Sequence, residues 1–530
     1  MYTEEMLNSM KKVEATRNER MKSEPQRMTA EQKEKVLSDF HPDYRADGFT
    51  TLKAGKNAGG KVPVELAELL QGKSRVDFDI NLDSPDYDTD VLIIGGGGAG
   101  ASAAIEAHEK GAKVMVVTKL RMGDANTMMA EGGIQAADKE NDSPAIHYLD
   151  ALGGGHYANK PELLKRLVTK GPEAVLWLNK LGVMFDKAPD GTMITTHGGG
   201  TSRKRMHAAR DYSGAEIMRV LRDEVLNRKI PVVDFTACIE LLTDNGRVTG
   251  AVLMNMETKE ILTARAKTVI LATGGAGRLH YREFPTSNHY GATADGLVLG
   301  YRAGAKLIYA ETLQYHPTGA AFPEQILGAL VTEKVRSLGA MLVNSEGEAF
   351  MHPLETRDVA AASIIRECTE RKKGINTQSG QGVWLDTPMI ELKGGEGTIE
   401  KRIPGMMRMF GKYNIDIRKT PILVYPTLHY QNGGLDINKN AETTVENLYA
   451  AGEVAGGIHG KNRLMGNSLL DIIVFGRTAG QNAADKAKEI KPGKLTLDHL
   501  KAYEEELKNV GIEPEVLSPK LLPHYRHGAE

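Results

Sequence analysis

The 530-residue chain is longer than one ordinary core needs, so roughly two to four domains are expected. Its 41% hydrophobic and 26% charged residues are those of a soluble globular protein, and a formal net charge of -2 gives no case for nucleic acid or an anionic membrane. Two separated cysteines, Cys238 and Cys368, cannot build a disulfide framework, a zinc site or an iron–sulfur cluster; they fit a reducing cytoplasm, and with no membrane-spanning apolar run, membrane association would go through a partner.

In chain order, residues 1–84 are charged and poor in core residues at first. TAEQKEKVLSDF carries a capping box, Thr29 with Gln32, that opens a short helix. KVPVELAELLQ places Pro63 near a helix start, with Leu66, Leu69 and Leu70 on one face. This region is read either as an arm of short helices lying on another surface or as a mostly disordered tail. At Asp90 the pattern changes to DVLIIGGGGAGASAAIEAHEKGAKVMVVTK. It reads as a buried strand at Val91–Ile94, a glycine turn, a helix through Ala103–His108 and a second strand at Lys113–Val117. Such a βαβ unit implies a parallel sheet. AKTVILATGGAGR and NLYAAGEVAGG are two further strands ending in glycines, so one extended ligand threaded along the strand ends is expected. After Lys491 one helix is expected in LDHLKAYEEELKNV, followed by a proline-broken end.

Gly95, Gly97 and Gly100 form GxGxxG between strand and helix. The turn needs a glycine, a pyrophosphate must meet bare backbone, and the helix N-terminus offers it free N–H groups. One departure stands out. The second strand ends in Thr118-Lys119 rather than in the acidic residue that holds a ribose in an ordinary NAD site.

The remaining motifs are TKLRMGDANTMMAEGGI (118–134), QYHPTG (314–319), VTEKVR (331–336), ETRDVAAASI (355–364), PTLHYQNGG (426–434) and AAGEVAGGIHGKNRLMGNSLLDIIVFGR (450–477). Together, from Asp90 to about Ile490, they resemble the succinate dehydrogenase/fumarate reductase flavoprotein family, which includes L-aspartate oxidase. The resemblance implies an α/β fold: a doubly wound, Rossmann-like FAD-binding domain (85–311 and 427–490) with an inserted α+β capping domain (312–426). An N-terminal extension (1–84), serving as a partner arm, and a short helical tail (491–530) complete the expected chain. For FAD it implies Gly95, Gly97 and Gly100 at the pyrophosphate and Thr118 and Lys119 at the adenosine. Gly132 and Gly133 would meet the isoalloxazine, with Asp295, Glu453, Ser468 and Leu469 as further contacts. His316, Thr332, His429 and Arg463 match dicarboxylate-binding positions, as does Glu333. Arg357 matches a proton-transfer arginine, and Glu333 and Arg336 match the relay that supplies it. The implied chemistry is hydride transfer from flavin N5 to an alkene carbon, with a proton returned to the other carbon.

Two departures bear on the branch. Relatives that bond flavin covalently do so through a histidine, where this chain has Asn126, so noncovalent FAD and alkene reduction are expected. In TTHGGGTSRKRMHAARDYSGAEI, His197 stands where L-aspartate oxidase has a glutamate for the substrate amine. It either binds a polar group of the substrate or packs behind the site. The leading expectation is therefore the catalytic subunit of a fumarate reductase-type enzyme, acting on a small dicarboxylate or related enoate and fed by an iron–sulfur or other electron-transfer subunit. L-aspartate oxidase is the alternative, and a noncatalytic electron-transfer flavoprotein stands behind it.

Overall fold

The strand Tyr87–Ile94 is buried from Val91 onward, which explains its unbroken apolar run. It lies at the centre of a seven-stranded sheet in the computed structural model, which describes residues 2–523; residues 524–530 of the expected tail lie outside the described residues. Val114–Val117 pairs with it in parallel on one side and Ile261–Leu271 on the other. The order continues outward to Val232–Val233 on the first side, and through Arg247–Asn255 to Thr236–Asp244 on the second. Leu448–Ala450 joins Ile261–Leu271 in parallel at its far end.

Two helices cross this sheet, Gly98–Glu109 and Asn467–Glu489. Their small residues have a packing reason. A Cβ at Gly476 would stand 2.6 Å from the Ala99 carbonyl, and one at Gly480 2.3 Å from the Ala103 carbonyl. The backbones therefore touch, and neither position admits a side chain.

A second sheet of five strands runs Leu313–Ala320, Ile422–Gln431, Gly380–Leu385 and Leu342–Val343, with Ile375–Thr377 added on Gly380–Leu385. Its own core includes Val331, Leu342, Ile364, Val383, Phe410 and Val424. Helix Arg357–Thr369 packs on its first strand.

The first 84 residues are folded onto this body. Helix Glu4–Arg20, which the charged sequence did not announce, buries Met6 and Val13 among Trp384, Met389 and Ile375. Arg17 and Arg20 both bind the fully buried Asp386. Helix Ala30–Phe40 has the expected Thr29–Gln32 capping box and lays Val36 and Leu37 on Val359 and Ala362. Pro63 caps helix Val64–Leu70, whose Leu66, Leu69 and Leu70 are buried. In the tail, helix Asp498–Asn509 packs beside it, Tyr503 donating to the Leu70 carbonyl at 2.9 Å. Among the described residues, no helix is long and apolar enough to cross a membrane.

Candidate functional site

An elongated groove runs past the ends of the large sheet's parallel strands, the place where open α/β sheets bind ligands. One end is lined by Thr118, Lys119, Ala237, Cys238 and Asp295. The other is lined by His316, Thr332, Glu333, Arg357, His429 and Arg463. Residues far apart in sequence thus meet in one cavity: the large sheet brings its strand ends, the second sheet brings His316 and His429 from its strands, and Arg357 starts the helix packed on it.

The glycine turn is built as a nucleotide cradle. Gly95 has φ +119°, and a Cβ there would meet the Ala272 carbonyl at 2.2 Å. Gly97 caps helix Gly98–Glu109, whose positive end lies on the groove. Gly100 does not line the groove; a Cβ on it would fall 1.9 Å from the Gly95 carbonyl, so it serves strand–helix contact. Gly132 and Gly133 line the middle, Gly133 at φ +120° against the His207 carbonyl. These residues offer bare backbone over a long path, which is what an extended dinucleotide requires.

Asn126 also lines the groove and is held from three sides. Its amide N–H group donates to Asn288 Oδ1 at 3.0 Å and Glu453 Oε2 at 3.3 Å, while its Oδ1 accepts the His289 N–H at 2.6 Å. Burial pushes the Glu453 carboxyl up to about 7, against the pull of the Gln431 N–H and Asn126. Ser468 and Leu469 line the groove nearby, the Ser468 hydroxyl accepting from Arg463 Nη1 at 3.1 Å. Lys119 lines the groove with its side chain already engaged. Its ammonium spends its three donors on Asp295, Thr293 and the Leu521 carbonyl.

At the other end two buried guanidiniums share one acceptor. Arg357 Nη1 and Arg463 Nη2 each donate to Gln314 Oε1 at 2.9 Å. Gln314 is fixed in turn by its amide N–H group, which donates to the Arg463 carbonyl and Asn462 Oδ1. The face of Tyr430 lies 4.2 Å beneath the Arg463 guanidinium. Burial, with Arg357 adding, pushes Arg463 below the usual arginine range. Arg357 Nε donates to Glu333 Oε2 at 3.0 Å, and Arg336 Nη2 stands 3.4 Å from that oxygen. Burial alone would raise Glu333, yet Arg357 and Arg336 hold it below the ordinary glutamate value. Arg336 does not reach the groove; it sits behind Glu333.

His316 and His429 come from neighbouring antiparallel strands, their rings 5.1 Å apart. Burial and then Arg357 push both well below the normal histidine range, so both are neutral near pH 7. His316 Nδ1 accepts the Thr318 N–H, which leaves the proton on Nε2, a nitrogen without a partner among the described residues. His429 Nδ1 is 2.6 Å from the Ser287 hydroxyl. Thr332 is buried beside them.

Like Gly100 and Arg336, His197 is an expected site residue that does not line the groove. Gly199 stands against the site instead, its N–H donating to Glu333 Oε1 at 2.5 Å. His197 is half-buried outside, and burial, with Lys204, Arg205, Arg27 and Arg203 around it, lowers its affinity for a proton. Gln314 and Asn462 are the residues that sequence reasoning passed over. Both lie inside quoted motifs, and only the three-dimensional bridge to two arginines marks them.

The FAD binding domain family model matches residues 90–469. One of the subunits of the fumarate reductase (CoM/CoB) of Methanothermobacter marburgensis is 41% identical over 418 residues, 77% of this chain and 74% of its own length. The L-aspartate oxidase of Streptomyces coelicolor is 36% identical over 420 residues, 77% of this chain and 67% of its own. Among solved structures, the FrdA chain of E. coli quinol fumarate reductase, a single-substitution mutant, superposes with a TM-score of 0.72 at 31% identity. That match covers 80% of this chain and 74% of FrdA. With a nucleotide cradle along the large sheet and these relatives spanning both sheets, the chain belongs to the succinate dehydrogenase/fumarate reductase flavoprotein family and is an FAD-dependent oxidoreductase.

Proposed function

We propose that the chain is the flavoprotein catalytic subunit of a fumarate reductase-type enzyme that reduces fumarate or a closely related unsaturated dicarboxylate, with FAD held noncovalently. The observation that carries this reading is the pair of buried guanidiniums joined through Gln314, with Glu333 behind one of them. Two cations this close repel until a dianion arrives, so the site favours a substrate with two negative ends. Arg463 clamps one carboxylate. His316, His429 and Thr332, neutral donors, orient the other without adding charge.

Bound FAD supplies the hydride. Arg357 delivers the proton to the neighbouring carbon. It is the first residue of helix Arg357–Thr369, which sets its guanidinium on the groove beside Glu333. Glu333 and Arg336 reload it at once, which an acid of such high intrinsic pKa requires. The five-stranded sheet region, about 312–426, acts as the cap that carries Arg357 and Glu333 to the site.

Asn126 cannot form a histidyl link, so FAD is retained by the groove alone. A flavin that stays with the acid-denatured chain would contradict this. Electrons reach the flavin from an iron–sulfur or other electron-transfer subunit, in line with relatives that are themselves named as subunits of fumarate reductases. The central test is anaerobic reoxidation of the reduced flavin by a panel of enoates. Fumarate is expected to reoxidise it, and Arg357→Lys to slow turnover about 10²–10⁴-fold. Failure of fumarate where another enoate succeeds moves the substrate and keeps the mechanism. The second reading, L-aspartate oxidase, is favoured by the glycine and arginine segment 195–207, and oxygen-dependent turnover of L-aspartate by the pure chain would establish it.

A further inference from the structure

The segment Leu517–Leu522 returns from the end of the chain to the adenosine end of the groove. Leu517–Ser518 pairs in parallel with Lys73–Ser74 of the arm. The Ser518 hydroxyl donates to the Leu69 carbonyl, and buried Arg302 donates to the Ser518 carbonyl at 2.9 Å. Leu521 is then buried among Val76, Ala237, Ile239 and Leu500. Its backbone closes on the two charged groove residues: its carbonyl accepts from Lys119 Nζ at 2.6 Å, and its N–H donates to Asp295 Oδ1 at 3.2 Å. Leu521 does this at φ +68°, a region a leucine occupies only when its surroundings hold it there.

Lys119 and Asp295 line the groove, while Leu521 stands behind them. With every ammonium donor of Lys119 committed, this wall presents the lysine stem rather than a free cation. Left without the Leu521 carbonyl, the ammonium would regain a free donor and the lysine its rotamers. We infer that Leu517–Leu522 is a positioning segment of the cofactor site: it fixes Lys119 and Asp295 as the adenosine wall, so FAD retention and docking of this segment are linked. The inference rests on FAD being the cofactor. Linkage is reciprocal, so FAD must protect the segment as much as the segment retains FAD.

The test uses the full chain. Leu521→Pro removes the N–H and forbids the positive φ, whereas Leu521→Met keeps both bonds and nearly the same volume. FAD release, followed by recovery of free flavin fluorescence, is expected to be about tenfold faster in Leu521→Pro and unchanged in Leu521→Met. In the parent protein, amide exchange of peptides spanning 517–523 is expected to slow when FAD is added to the apoprotein. Exchange indifferent to FAD overturns the inference, even should Leu521→Pro fail to fold. So does a folded Leu521→Pro protein that releases FAD at the parent rate. A chain that takes up no FAD at all is a distinct failure, since it removes the cofactor reading along with the inference.

Discussion

Gln314 shows how one uncharged side chain can hold an electrostatically strained site. Its Oε1 is the acceptor that Arg357 and Arg463 share, and it keeps two mutually repelling guanidiniums pointed at one place. Replacing it by alanine leaves both arginines buried with one bond fewer each. Gln314→Ala is expected to lower kcat/KM for the dicarboxylate about 10–100-fold, since bonds to charged groups are individually worth about 1.5–3 kcal/mol and only part is recovered from water. Both kcat and KM should change, because one arginine binds and the other delivers a proton. A change in KM alone would separate Gln314 from Arg357. His316, His429, Arg357 and Arg463 were legible in the sequence because they sit in recognisable motifs. Gln314 sits in the same QYHPTG motif, but its value depends on what it joins, and residue 463 is far away in the chain.

At the scale of elements, legibility followed the range of the contacts that stabilise each one. The strand–glycine–helix unit from Tyr87 to Val117 is made by local pattern, and its apolar run and GxGxxG state it outright. The Thr29–Gln32 capping box is equally local and is present as expected. Helix Glu4–Arg20 is the opposite case. Its buried side is narrow, Met6 and Val13, and it is fixed by Arg17 and Arg20 on Asp386, more than 360 residues on. Taken alone, those arginines belong to a solvated, charged tail. The arrangement predicts a large cost for losing the shared partner. Asp386 is fully buried, and Asp386→Ala strands the Arg20 guanidinium without the carboxylate it binds. Removing one side of a buried ion pair costs about 3–5 kcal/mol. Denaturant unfolding of Asp386→Ala should show a loss of that order. Arg17→Ala should cost less, because Arg20 still covers the carboxylate. Equal losses would mean that the two arginines do not share the work.

At the scale of the whole molecule, the two sheets must stay together for the site to exist, since Arg357 and Glu333 come from one and the glycine turn from the other. Lys334, immediately after Glu333, spans that junction. Its ammonium donates to the Arg210 carbonyl at 2.6 Å, and the adjacent Asp211 accepts the Met406 N–H at 3.0 Å. Burial pushes Lys334 down to about 8 from an ordinary 10.5. Between those two values the unfolded chain holds a proton on this lysine that the folded chain has given up, so stability rises with pH across that window. The neutral amine still donates to Arg210, so the clasp survives deprotonation while the cost of a buried charge disappears. Many lysines and tyrosines titrate in the same range, which makes the parent's own profile uninformative. The difference between parent and Lys334→Met isolates this one group. That difference in unfolding free energy should grow in the parent's favour from about pH 8 to pH 10. A flat difference would mean that Lys334 keeps its ordinary affinity for the proton, through water reaching the junction between the two sheets.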